Sequence, residues 1–73
     1  MLIYEIDRDY IRQYGSIKKA IAAGYYIPRD NDFIRRAFNY GRGTKSDMNR
    51  YMHDNLRYCV FIDSATGREI KSI

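Results

Sequence analysis

The sequence predicts an α+β domain: a three-stranded antiparallel sheet, made of an N-terminal strand and a C-terminal hairpin, packed against three or four short helices. Three observations lead there. Leu2–Ile6 and Leu56–Ile62 are apolar and rich in β-favouring residues. The chain between them carries apolar residues at helical spacing, broken by Ser, Asp and Gly at cap positions. Asp63-Ser-Ala-Thr-Gly67 is turn chemistry ahead of the alternating stretch Arg68–Ile73, which closes a hairpin.

Each element has a local reason. Leu2–Ile6 reads as a strand, and Asp7 then offers a side-chain acceptor to cap a helix. Arg8–Tyr14 sets Tyr10, Ile11 and Tyr14 on one helical face, and Gly15 ends it. Ser16 caps Ile17–Ala23. In that segment Ile17, Ala20 and Ile21 share a face with Gly24, while Lys18 and Lys19 point away. Tyr25, Tyr26 and Ile27 are extended, because Pro28 drives its predecessor out of the α region.

Asp30–Arg42 reads as a central helix, capped by Asp30 or Asn31 and ending near Tyr40. Phe33, Ile34, Ala37 and Phe38 form its oily side; Arg35, Arg36 and Asn39 form its basic side. Ser46 caps a last helix, Asp47–Asn55, with Met48, Tyr51 and Met52 inward and Arg50 within reach of Asp47 or Asp54. Leu56–Ile62 is apolar on both faces in its second half, as a central strand is. Leu2–Ile6 pairs on its free side, and the helices pack on one face of the sheet.

At 73 residues the chain is one compact domain. A chain of this size buries only about 60% of the surface it exposes when unfolded. Cys59 is the only cysteine, so no disulfide staples the fold. A lone thiol, no apolar run of membrane length and an acidic N-terminal segment predict a cytoplasmic protein without a secretory leader.

Charge is unevenly distributed. The net charge is +4, yet Met1–Ile11 carries −2, Arg12–Arg50 carries +6 and Tyr51–Ile73 balances to zero. A basic middle between neutral or acidic ends suggests a basic patch. Eight tyrosines and no tryptophan supply rings that bury while their hydroxyls stay wet.

Catalytic groups are sparse. His53 and Cys59 are the one conceivable nucleophile pair, but Cys59 sits in an apolar run and His53 has no evident orienting partner. One Cys and one His cannot complete a metal site, so neither metal nor cofactor is expected and the chain does not read as an enzyme. Gly41-Arg-Gly-Thr-Lys-Ser46 departs from the phosphate-binding P-loop, since Thr44 separates Gly43 from Lys45 and a helix precedes it. Its glycines could still form a nest for a phosphate, with Arg42 and Lys45 adding charge.

Two functions follow. The preferred one is a small basic regulatory module that binds nucleic acid, DNA before RNA, through Lys18, Lys19, Arg29, Arg35, Arg36, Asn39, Tyr40, Arg42 and Lys45. It is at most helix-turn-helix-like: the stretch from Gly24 to Asp30 is longer than the usual turn and contains Pro28, and Asp30 and Asp32 would repel phosphate. The alternative is a protein-interaction module, a small regulator or inhibitor of another protein or a homodimer, using Tyr25, Tyr26, Arg29, Phe33 and Tyr40, since Tyr and Arg are common hot-spot types.

Overall fold

A four-stranded antiparallel sheet with helices on both faces organises the chain. The computed structural model describes residues 2–30, 32, 41 and 43–73. Most of the central helix expected at Asp30–Arg42 lies outside the described residues. The described elements run β1 (Ile3–Asp7), α1 (Arg8–Tyr14), α2 (Ile17–Ala22), β2 (Ile27–Arg29), α3 (Lys45–Asn55), β3 (Cys59–Asp63) and β4 (Glu69–Ile70). Strand order is β2-β1-β3-β4. No helix among the described residues is long and apolar enough to cross a membrane.

The cap chemistry sets the first half. Asp7 accepts the Asp9 N–H and starts α1, and Gly15, at φ 92°, ends it. Ser16 accepts the Lys19 N–H and starts α2. At the other end of the chain the hairpin forms as expected: Gly67 N–H donates to the Asp63 carbonyl, and β3 pairs with β4. β1 pairs along the other side of β3, with Glu5 opposite Phe61 and Asp7 opposite Cys59.

Four expectations need correction. First, the sheet has a fourth strand: Ile27–Arg29 pairs antiparallel with β1, placing Pro28 opposite Tyr4. Proline lacks the N–H that a central strand must donate, but β2 lies at the end of the strand order, where that loss is tolerated. Second, the helices do not share one face. Strand residues alternate sides, so Ile3, Glu5 and Phe61 face one way while Ile6, Val60 and Ile62 face the other.

The packing follows that alternation. Ile3 and Phe61 bury against Met48, Tyr51 and Met52 of α3. Ile6, Val60 and Ile62 bury against Ala20 of α2, with Ile11, Tyr14, Ile17 and Ile21 packed around them. Val60, Phe61 and Ile62 are therefore all buried in succession, which only a doubly covered strand permits.

Third, α3 begins earlier than expected. Thr44, not Ser46, is the cap, and it exchanges hydrogen bonds with Asp47 in a capping box. The Asp47 carboxylate accepts from both the Thr44 N–H and its hydroxyl. Fourth, β3 begins at Cys59; residues 56–58 form a turn held by Tyr58 N–H on the Asn55 carbonyl. That turn is tied to α1, because the Arg8 backbone N–H donates to the Tyr58 carbonyl and its Nε to the Leu56 carbonyl.

Candidate functional site

The antiparallel register gathers three chain segments at one end of the sheet. Asp7 ends β1, Cys59 opens β3 opposite it, and Ile27 opens β2 opposite Glu5. Gly24 supplies the approach. Its φ of 85° lets the chain reverse after α2, with Gly24 N–H on the Ile21 carbonyl and Tyr25 N–H on the Ala20 carbonyl. The turn delivers Tyr25 and Tyr26 to the sheet end.

Their rings then part company. Tyr25 packs against Tyr10 and Tyr14 of α1, with ring centroids 4.5 and 5.0 Å apart. Tyr26 tilts onto Tyr4 of β1 at 4.4 Å. The hydrogen bond between Tyr14 and Tyr25 raises the Tyr14 phenol above its ordinary pKa, with burial and the neighbouring tyrosines adding to the effect.

A cavity of about 290 Å³ opens among these groups. Tyr10, Tyr25, Tyr26 and Ile27 give it apolar walls, and Glu5, Asp7 and Cys59 line its sheet side. Burial first, then the charges of Glu5 and Asp7, pushes the Cys59 thiol from 9.0 up to about 11. Such a thiol is a poor nucleophile near neutral pH, because the thiolate is the reactive form. His53 does not reach it as a partner: its side chain is exposed, 3.6 Å from Asp54, and is not among the cavity residues.

We expect Cys59 to alkylate with iodoacetamide at pH 8 well below the rate of the unfolded chain. The rate should rise only as the pH approaches about 11. The folded thiol ionises later than the unfolded one, so stability falls as pH rises from 9.0 to about 11. Rapid labelling of the folded chain at pH 8 would contradict this placement.

The expected basic residues do not converge among the described positions. Lys18 and Lys19 are exposed on α2, which covers the Val60 and Ile62 face of the sheet. Lys45 is exposed at the start of α3, which covers the Phe61 face. Arg29 is the clearest correction. It is 7% exposed, with Nη2 3.1 Å from Glu5 Oε2, so it belongs to the interior and not to a surface of either expected kind. Arg35, Arg36, Asn39, Tyr40, Arg42 and Phe33 lie outside the described residues.

The glycine-rich stretch already faces an anion of its own. A Cβ at Gly41 would meet the Asp47 carboxylate oxygens at 2.8 Å. That same carboxylate accepts the Thr44 N–H at 3.3 Å and the Thr44 hydroxyl at 3.1 Å. Asp47 thus stands where the glycine nest could have held a phosphate, as in an ordinary turn into a helix.

Tyr25 and Tyr26, expected at a protein interface, are the pair that the structure brings together in one site. Ile27 follows Tyr26 directly, whereas Asp7 and Cys59 join through the β1–β3 register and Tyr10 through its ring packing on Tyr25, none of which local sequence signals. Tyr10, read on one helical face with Ile11 and Tyr14, is 40% exposed at the cavity. Comparison with known proteins finds no matching family model, no matching curated protein and no matching solved structure.

Proposed function

We propose that the chain is a protein-interaction module that docks another polypeptide on the aromatic end of its sheet. One observation carries this reading. Five large apolar side chains are exposed among the described residues, and three of them, Tyr10, Tyr25 and Ile27, line the same cavity. Scattered exposed apolar residues need no explanation, whereas a cluster around a concavity is the usual form of a recognition site. Tyrosine suits it, since its ring offers a rigid contact and its hydroxyl a polar handle.

A photo-crosslinking side chain at position 25, in cells producing the chain, tests the reading. A discrete adduct with one polypeptide is expected, lost when Ile27→Ser and Tyr10→Ser are combined with it. An adduct at twice the chain mass would make the partner a second copy. No adduct at position 25, with a strong one from a probe at position 18 on α2, would defeat the reading.

Binding of DNA or RNA is the second reading, favoured by the net charge of +4 and the exposure of Lys18, Lys19 and Lys45. It requires affinity for a duplex to fall with salt at a log–log slope of about −0.9 per neutralised phosphate. Absence of duplex binding near about 50 mM salt, where phosphate contacts are strong, removes it.

A further inference from the structure

The docking reading leaves open what the cavity at the sheet end receives. We propose that it receives the cationic head of an arginine or lysine side chain from the docked polypeptide, held between tyrosine rings and the Asp7 carboxylate. The inference rests on the docking reading and specifies its central contact.

Charge complementarity is the first argument. Two carboxylates line the cavity, and none of its described lining residues is basic. Glu5 is already matched by Arg29 at 3.1 Å, so its charge is largely spoken for. Asp7 is exposed, and Asp9 N–H occupies its Oδ1 at 2.7 Å. No further hydrogen bond reaches the Asp7 carboxylate among the described residues, which leaves Oδ2 to a donor from outside. Arg29 and Arg8 also act on Cys59 electrostatically from beside the recess, yet Asp7 is the lining carboxylate with no ion pair among the described residues.

The second argument is the walls. Tyr10, Tyr25 and Tyr26 all line the recess. Aromatic faces attract a cation through the ring quadrupole, and guanidinium and alkylammonium groups are the usual guests of such sites. An anion would meet the carboxylates and the negative ring faces together. A purely apolar guest would cover the Asp7 carboxylate without giving it a hydrogen bond.

Size is the third. At about 290 Å³ the recess falls at the foot of the range for small-molecule pockets, about 300–1,000 Å³. It has room for one long side chain rather than a cofactor. A long aliphatic stem against Ile27 and the rings, ending in a charged head at Asp7, uses both kinds of lining.

Two heptapeptides, identical but for arginine or norleucine at the centre, test the proposal by NMR titration of the full chain. The arginine peptide should shift resonances of Tyr10, Tyr25, Tyr26 and Ile27, and bind at least tenfold more tightly than the norleucine peptide. Asp7→Asn should lower the arginine peptide to the norleucine level, since asparagine still caps α1 but carries no charge. If Asp7→Asn fails to fold, the two peptides on the unaltered chain still decide.

Equal binding of both peptides would overturn the cation and leave the docking reading standing. No shift at the cavity from either peptide would also overturn it. The position 25 crosslink then separates the two ideas: with its adduct intact only the cation is lost, and without it the docking reading falls too.

Discussion

Arg29→Ala is expected to cost about 3–5 kcal/mol of stability, the range for stripping one partner from a buried ion pair. Arg29 and Glu5 both have side chains 8% exposed, and they meet across the β2–β1 pair at 3.1 Å. The Tyr51 hydroxyl donates to the other Glu5 oxygen, and the Arg29 guanidinium lies 5.9 Å from the centre of the Tyr51 ring. Burial and that hydrogen bond both raise the Tyr51 pKa, so the phenol keeps its proton and can donate. Alanine at position 29 would leave the Glu5 carboxylate in the interior without its cation.

The cost is large for a chain of this size. At about 0.05–0.15 kcal/mol per residue, a domain of 73 residues holds only some 4–11 kcal/mol in total. Urea unfolding checks the figure. The double variant Glu5→Leu with Arg29→Met should recover most of the loss, because a well-packed apolar pair often matches or exceeds a buried ion pair. A loss below about 1 kcal/mol for Arg29→Ala is the value for exposed pairs, and would put Arg29 back on the surface.

Arg29 also shows how far a sequence can be read. It follows Pro28 in a stretch that looks like an irregular connection, where a charged side chain reads as a surface group. Proline argues against a strand unless the strand is at an edge, and being an edge is a property of the whole sheet. Glu5 held the missing clue: a carboxylate at an inward position of a strand needs a buried partner. Local chemistry was legible where it is self-contained. Asp7, Gly15 and Ser16 bound α1 and start α2 as expected, and Met48, Tyr51 and Met52 turn inward from α3.

Helical period identifies an apolar face but not the sheet face it meets. The stripes of α2 and α3 look equivalent in sequence, and they end on opposite sides of β3. The run Val60-Phe61-Ile62 already required cover on both sides, which a single helical layer cannot give. The candidate site was legible in part for the same reason. Tyr25 and Tyr26 are adjacent in sequence and were expected at a surface. Asp7 and Cys59 join them only through the β1–β3 register, and Tyr10 only through its packing on Tyr25.

The double cover of the sheet underlies the whole functional account. With α2 on one face and α3 on the other, Lys18 and Lys19 are separated from Lys45 by a layer of strands, and the sheet end becomes the place where rings can gather. Parallel urea unfolding of Phe61→Ala and Ile62→Ala tests this most directly, since the two residues are neighbours with side chains on opposite faces. Phe61 is 1% exposed beside Tyr51, whose ring meets it edge-on at 6.0 Å, and Ile62 is 2% exposed beside Ala20. Both should be costly: about 3–5 kcal/mol for Phe61→Ala and about 2–5 kcal/mol for Ile62→Ala. A loss within about 0.5 kcal/mol for either one, as at ordinary surface positions, would mean that one face of the sheet is open to solvent and would contradict the account.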